Sequence, residues 1–233
     1  MHKLIVANFK MNGDKSTYLS LQKKLNNIKV SDTEIILCPP FLYLPFFKKS
    51  KVFALGAQDI TNALNHKSTG QISPYMLDEF GVKYVIIGHS ERREIGDSDE
   101  MIANKLAISV DNGIIPIVCV GEKKKTDNID IVAKQTKSAL TNYNSGEVIF
   151  AYEPVWAIET GELPDLSRIE RAVAIIKRNA HEFGLNPLVL YGGSVSANNF
   201  KQLLTTNVDG LLCGSVALDN NEFIELIKGI DNE

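Results

Sequence analysis

The sequence predicts an α/β protein, a closed barrel of eight parallel strands that alternate with helices. Eight short apolar runs recur along the 233 residues, and most of them are continuous rather than alternating. Continuous runs are typical of strands that are covered on both faces, as in a parallel sheet. Helical patterns separate them, and barrels of this kind use about 200–250 residues as one domain. An open, doubly wound sheet is the alternative architecture.

The predicted strands are rich in valine, isoleucine and leucine, which suit a buried sheet. They recur at fairly even intervals, and no linker or low-complexity tract interrupts the series. We therefore assign residues 1–233 to one domain. The strands are Leu4–Ala7, Ile35–Cys38, Val52–Ala57, Tyr84–Ile87, Ile114–Val120, Val148–Ala151, Leu188–Tyr191 and Gly210–Cys213.

Apolar residues at spacings of three and four predict the helices between these strands. The longest pattern runs from Ile169 to Phe183. A capping box, Ser167-x-x-Glu170, predicts its start, and Gly184 predicts its end. The shorter patterns are Tyr18-Leu21-Leu25-Ile28, Ile102-Leu106-Val110 after a Ser98 cap, Phe200-Leu203-Leu204 and Phe223-Ile224-Ile227.

Composition narrows the function classes. Hydrophobic residues make up 44% and charged residues 23% of the chain, as in ordinary globular proteins. The net charge of −3 argues against a nucleic-acid partner. No apolar stretch approaches the roughly 20 residues of a membrane span. Cys38, Cys119 and Cys213 are odd in number and lack metal-site spacing. We therefore expect a reducing, cytoplasmic location.

Polar residues that follow the predicted strands are the candidates for chemistry, because both architectures place function at the carboxyl ends of their strands. Asn8 and Lys10 follow the first strand, His89 the fourth and Glu153 the sixth. A solvated lysine, a loop asparagine and an ordinary hydrogen-bonded histidine are the plainer readings of the first three. Glu153 is harder to dismiss, because a carboxylate between Tyr152 and a proline would be partly desolvated.

Two glycine-containing turns indicate an anion site. Gly192-Gly193-Ser194 follows the seventh strand and Gly214-Ser215 follows the eighth. Backbone N–H groups in such turns can converge on a phosphate, and barrel phosphate sites lie after these two strands. Two tight turns that need positive φ angles are the alternative.

Together these groups suit proton transfer within a small phosphorylated carbonyl compound. Glu153 would remove a proton next to the carbonyl, and His89 and Lys10 would stabilise the developing oxyanion. The sequence has neither a metal-ligand cluster nor a dinucleotide fingerprint, so we expect no metal and no cofactor.

The same residues lie in motifs that resemble the triosephosphate isomerase family. The resemblance covers essentially the whole chain in order, and the second and third motifs are highly specific together. The motifs are Asn8-Phe9-Lys10, Gly88-His89-Ser90-Glu91-Arg92-Arg93, Ala151-Tyr152-Glu153-Pro154-Val155-Trp156-Ala157-Ile158, Tyr191-Gly192-Gly193-Ser194-Val195 and Asp209-Gly210-Leu211-Leu212-Cys213-Gly214.

The resemblance implies a role for each residue. Glu153 would be the base, and His89 would be a neutral electrophile, an assignment that is a standard example for this family. Lys10 would offset the substrate's charge, Asn8 would orient the substrate, and Glu91 would support the site. A lid, residues 154–164, would close over the phosphate and exclude water. Phosphate would be bound by Asn8, Lys10, Glu159, Ser194, Gly214 and Ser215.

The family resemblance also implies a homodimer. The third βα loop of the barrel, here residues 59–73, would reach the partner subunit and place Thr69 near the partner's active site. Without the resemblance, this segment would be read as an exposed polar loop. The chain departs from the family's usual sequence at three positions. Glu159 replaces a lid glycine, Ser215 replaces the second glycine after the eighth strand, and Gln71 replaces an acidic residue at the interface. The region 123–146 also looks shorter than the same region of the family. These changes bear on lid closure, phosphate affinity and dimer strength.

Two other hypotheses are open, and the sequence supports each of them less well. A phosphate-binding barrel without catalytic activity would have lost Lys10, His89 or Glu153, and none is lost. A different phosphate-binding barrel enzyme would need a base at another position or a cofactor motif, and the sequence offers neither.

Overall fold

Eight parallel strands form a closed barrel in the computed structural model, which describes residues 3–63, 67–158 and 160–232. Each strand pairs with the next one along the chain, and the eighth pairs with the first. The predicted closed barrel is confirmed, and the open sheet is excluded. The strands are β1 (Lys3–Asn8), β2 (Thr33–Cys38), β3 (Phe53–Ala57), β4 (Val82–Ile87), β5 (Ile115–Val120), β6 (Ile149–Tyr152), β7 (Leu188–Tyr191) and β8 (Gly210–Cys213).

Helices cover the outside of the barrel. They are α1 (Lys15–Leu25), α2 (Pro74–Glu79), α3 (Ser90–Glu94), α4 (Asp99–Asp111), α5 (Asp130–Ala139), α6 (Leu166–His181), α7 (Phe200–Leu204) and α8 (Asn220–Asp231). Short 3₁₀ helices cover Phe41–Phe46, Val155–Ala157 and Ser215–Leu218. None of the described helices has the length and apolar character needed to cross a membrane.

The continuous apolar runs follow from burial on both faces of the sheet. Val6 belongs to the cluster inside the barrel, whereas its neighbours Ile5 and Ala7 belong to the layer between strands and helices. The inner cluster also contains Ile36, Ile86 and other strand residues. Because both faces of the sheet are buried in this way, the strands do not alternate between apolar and polar residues.

Two predicted helix boundaries were wrong. The helix α6 begins at Leu166 with Asp165 as its N-cap, so Ser167 lies inside the first turn and forms no capping box with Glu170. The N–H groups of Arg168 and Ile169 both donate to the Asp165 carbonyl, which fixes this earlier start. Ile28 follows the end of α1 and packs against the core from a turn.

Candidate active site

The side chains predicted from the strand ends all lie at the carboxyl ends of the barrel strands. Asn8 is the last residue of β1, and Lys10 follows it. His89 follows β4, Glu153 follows β6, Ser194 follows β7 and Gly214 follows β8. One small cavity of about 30 Å³ is lined by most of this set, namely Asn8, Lys10, His89, Ser194, Gly214 and Ser215, together with Ile158, Gly192, Gly193, Val195 and Leu212.

Glu153 is a buried carboxylate whose side chain is only 2% exposed. Its N–H donates to the Val120 carbonyl at 2.8 Å, which extends the β5–β6 ladder by one bond. Its Oε2 accepts the Ser90 N–H at 3.2 Å. Its Oε1 is buried without a hydrogen bond to any described residue. A buried acceptor of this kind is costly in a folded protein.

Two glycines allow Glu153 to occupy this position. A Cβ added to Gly121 would lie 1.8 Å from the Glu153 carbonyl oxygen. A Cβ added to Gly192 would lie 3.0 Å from Cγ of the Glu153 side chain. The backbone of β5 and β7 therefore closes around Glu153 from both sides. The thiol of Cys119 also lies beside it, and burial, followed by the Glu153 charge, raises the pKa of that thiol well above its ordinary value.

His89 presents Nε2 to this carboxylate. Its Nδ1 accepts the Glu91 N–H at 3.2 Å, where His89 caps the short helix α3. A ring nitrogen that accepts a hydrogen bond carries no proton, so in the neutral ring the proton lies on Nε2. Nε2 lies 3.2 Å from Oε1 of Glu153. The site thus has a buried proton acceptor next to an imidazole N–H donor.

Lys10 adopts an unusual backbone conformation for a non-glycine residue, with a φ angle of +49°. Two side chains hold it there. The Asn8 Oδ1 accepts the Lys10 N–H at 3.1 Å, and the Gln58 amide donates to the Lys10 carbonyl at 2.9 Å. The Gln58 amide also donates to the Cys38 carbonyl at 2.9 Å. Strain of this kind concentrates at functional sites.

Glu91 forms an ion pair with Lys10 at the mouth of the site. Its Oε1 lies 2.7 Å from Lys10 Nζ, and its side chain is 54% exposed, whereas that of Lys10 is 16% exposed. An exposed carboxylate therefore pairs with the ammonium group of a largely buried lysine. This geometry fits the supporting position expected for Glu91.

The predicted lid segment, residues 154–164, begins with the 3₁₀ turn Val155–Ala157, and its described residues after that turn, 158 and 160–164, belong to no helix or strand. The Ser194 hydroxyl donates to the Ala157 carbonyl at 2.7 Å and links this segment to the loop after β7. Gly214 precedes the 3₁₀ helix that begins at Ser215, next to Lys10. Glu159, a predicted phosphate-binding residue, lies outside the described residues.

A buried carboxylate that sequence reasoning missed, Glu122, contacts the start of the predicted lid segment. Oε1 of Glu122 accepts hydrogen bonds from the Tyr152 hydroxyl, the Trp156 indole and the Arg168 guanidinium at 2.9, 3.0 and 2.9 Å. Its carbonyl accepts the Val155 N–H. Burial, followed by the Glu122 charge, raises the pKa of the Tyr152 hydroxyl. Glu122 thus connects the strand that carries Glu153 to the start of the lid and to α6.

Gln58 was missed as well, although it directly follows β3 and therefore meets the strand-end rule. The only signal for Gln58 was its position, since it follows β3 as Lys10 follows β1. For Glu122 the signal was a carboxylate directly after Gly121 at the end of β5. Three lysines follow it, and they make the segment read as a solvated loop.

The loop 59–73 is described except for residues 64–66. Thr61 N–H donates to the Ile72 carbonyl at 2.9 Å, so the two ends of the loop lie together. Thr69 is exposed next to Gly70, whose φ angle is +83°. Gln71 lines a groove of about 600 Å³ that extends to Lys10, His89 and Glu91.

This arrangement combines what proton transfer at carbon requires. The Glu153 carboxylate can accept a proton, and the His89 N–H and the Lys10 ammonium can stabilise a negative oxygen that forms nearby. Residues of the loops after β7 and β8 line the same small cavity as Asn8, Lys10 and His89, and backbone N–H groups in such loops can bind an anion. A substrate with an oxygen next to an acidic C–H and an anionic group a few atoms away fits these three functions.

Comparisons with known proteins identify the family of this chain. The family model described as triosephosphate isomerase matches residues 3–230. A triosephosphate isomerase of Wolbachia pipientis is 37% identical over 240 residues, which cover 100% of this chain and 96% of the relative. One of Neurospora crassa is 39% identical over 238 residues, which cover 95% and 96%. One of Thermoanaerobacter pseudethanolicus is 35% identical over 243 residues, which cover 97% and 98%. The chain belongs to the triosephosphate isomerase family.

Proposed function

We propose that this protein interconverts dihydroxyacetone phosphate and glyceraldehyde 3-phosphate, with Glu153 as the base. The observation that carries the proposal is the position of the Glu153 Oε1, which is buried and lies 3.2 Å from the Nε2 of His89. A carboxylate held dry beside a hydrogen-bond donor is suited to taking a proton from carbon while the donor stabilises the adjacent oxygen.

The proposed reaction moves one proton between neighbouring carbons. Glu153 takes the proton from the carbon next to the carbonyl, and the C–H electron pair becomes the C=C bond of an enediolate. The carbonyl π pair moves onto oxygen, where the Nε2–H of His89 and the ammonium of Lys10 stabilise it. The protonated Glu153 then returns its proton to the other carbon, and a proton moves between the two oxygens. Asn8 orients the substrate through its position beside Lys10.

We place the substrate phosphate against Ser194, Gly214, Ser215 and the N–H of residue 159, with Lys10 offsetting its charge. Support comes from the shared cavity that Lys10, Ser194, Gly214 and Ser215 line. Closing of residues 154–164 would exclude water and protect the enediolate. Ser215 keeps its backbone N–H, so replacing a glycine there does not remove a donor.

We further propose a homodimer that forms through loop 59–73, with Thr69 near the partner's site. The groove of about 600 Å³ beside Lys10 supports this, because exposed apolar side chains border it. Met11 is 96% exposed and Ile95 is 74% exposed, and such patches mark interaction surfaces. Gel filtration would then give about twice the chain mass of 25.8 kDa. Elution as a monomer at micromolar concentration would contradict the proposal.

We expect the protein to act in the cytoplasm. Cys38, Cys119 and Cys213 are all free and buried, as in proteins of reducing compartments.

A coupled assay with the purified protein tests the proposed activity. We expect conversion of glyceraldehyde 3-phosphate without added metal or cofactor, and conversion that persists in a chelator. The rival hypothesis of a non-catalytic binder predicts saturable binding of the triose phosphate with no conversion, and that result would overturn the proposal.

A further inference from the structure

Lys125, in the loop between β5 and α5, contacts both ends of the lid segment. Its Nζ lies 5.1 Å from the centroid of the Trp156 ring, near the start of the lid. The same Nζ lies 3.4 Å from Oε2 of Glu162, near the end of the lid. One ammonium group therefore connects two lid residues to a neighbouring loop through a cation–π contact and an ion pair.

The order of strands in the barrel gives these contacts a direction. The lid follows β6, which lies between β5 and β7. Lys125 comes from the β5 side, whereas Ser194, Gly214 and Ser215 come from the β7 and β8 side. An attraction between Lys125 and Glu162 therefore acts on the second half of the lid from the β5 side, opposite the side that carries the proposed phosphate loops.

Other contacts hold the first half of the lid independently of Lys125. The Trp156 indole donates to Glu122, and the Ala157 carbonyl accepts the Ser194 hydroxyl. In the second half, the Glu162 N–H donates to Thr160 within the lid itself at 3.1 Å. The ion pair between Lys125 and Glu162 ties this half to the loop between β5 and α5, and Leu163 packs against the core.

We propose that Lys125 is a positioning residue that holds the lid toward the β5 side and opposes its closing over the phosphate loops. The inference rests on the proposed isomerase function, in which the lid closes on bound phosphate. Because the Lys125 and Glu162 side chains are 69% and 57% exposed, the pair is weak enough to break in every turnover. Its loss would favour the closed lid, so ligands would bind more tightly and leave more slowly.

Replacing Lys125 by glutamine is the direct test. We expect Lys125→Gln to lower KM and kcat together by about two- to five-fold, the factor expected of one exposed ion pair, with kcat/KM nearly unchanged. Lys124→Gln is the matched control, because it removes the same charge from an exposed neighbour that has no described ion pair or ring contact with the lid. Lys125→Arg should restore wild-type values.

Trp156 fluorescence provides a second test that does not depend on turnover. Trp156 is the only tryptophan in the chain, so the signal comes from this one residue. Its fluorescence can be followed during titration with inorganic phosphate. We expect Lys125→Gln to change the unliganded signal and to lower the apparent Kd for phosphate by about two- to five-fold. Glu162→Gln should have the same effect on Kd, and the double variant should add nothing further.

The inference is overturned if Lys125→Gln matches Lys124→Gln in KM, kcat and phosphate affinity, or if the Lys125 and Glu162 effects simply add. A wild-type protein that binds phosphate but does not convert triose phosphate would refute the proposed function alone. The fluorescence cycle would in that case still decide the role of Lys125.

Discussion

Replacing Gly121 by alanine should displace Glu153, the proposed base, without changing its side chain. An alanine Cβ at this position would lie 1.8 Å from the Glu153 carbonyl oxygen and 2.5 Å from its carbonyl carbon. Real Cβ atoms essentially never approach closer than 3.0 Å, so the two backbones must separate by about 1.2 Å. The conflict involves backbone atoms, so no side-chain rotation relieves it.

The expected cost falls on both stability and catalysis. Overpacking in a rigid interior destabilises by about 1–3 kcal/mol. A shift of about 1 Å in a reacting group lowers the rate by about 10²-fold, because the near-attack geometry is lost. We therefore expect Gly121→Ala to lower kcat by about 10²-fold in folded protein, with a smaller change in KM.

Gly210→Ala is the matched control. A Cβ at Gly210 would lie 1.9 Å from the Leu4 carbonyl oxygen, a conflict of the same size. It lies where β8 pairs with the beginning of β1, at the end of the barrel away from Glu153. The control should lose similar stability and keep kcat. A folded Gly121→Ala protein with kcat within threefold of wild type, or an equal loss in both variants, would refute the reasoning.

Three further outcomes follow from the structure. Glu122→Gln should lower the free energy of unfolding by about 2 kcal/mol in urea titrations, because three donors lose a charged acceptor. The control is Glu225→Gln, which removes one partner of the exposed ion pair with Lys228. A loss of stability no larger than that of the control would contradict this prediction. Burial raises the pKa of Cys213 to about 12 and raises the pKa values of Cys38 and Cys119 as well. A disulfide reagent at pH 8 should therefore label no thiol in the folded protein and three thiols in denaturant. Rapid labelling of the folded protein would contradict the burial of these thiols. Hydrogen bonds from Thr17 and Ser16 lower the pKa of the Asp14 carboxyl from 3.8 to about 2, so its contribution to stability is full above pH 3.8 and is lost as pH falls toward 2. The urea midpoints of wild type and Asp14→Ala should differ above pH 5 and converge near pH 2, and a difference independent of pH would contradict the assignment.

The barrel was predictable because burial on both faces of a strand produces a continuous apolar run, which is visible within each short segment. Runs such as Leu188–Tyr191 and Gly210–Cys213 contain the whole strand as the structure has it. The position of Glu153 at a strand end was predictable for the same reason, since the rule for parallel strands converts sequence order into a shared edge. The strand-end rule thus brought most of the candidate site together.

Residues whose role depends on distant partners were not predictable in this way. Glu122 meets donors that lie 30, 34 and 46 residues away, and its own neighbours are exposed lysines. The start of α6 was misplaced for a related reason. Arg168 reaches Glu122 and the Asp127 carbonyl from the first turn of that helix, so tertiary contacts fix a start that local capping preference does not indicate.

Turnover of triose phosphate by Glu153→Gln tests the central claim most directly, because the amide keeps the shape of the side chain and cannot accept the proton. We expect kcat to fall by about 10²–10⁴-fold, the contribution of a positioned general base. Phosphate affinity, measured by Trp156 fluorescence, and the thermal unfolding midpoint should stay close to wild type. A folded Glu153→Gln protein that binds phosphate normally and keeps kcat within threefold of wild type would contradict the assignment of Glu153 as the base.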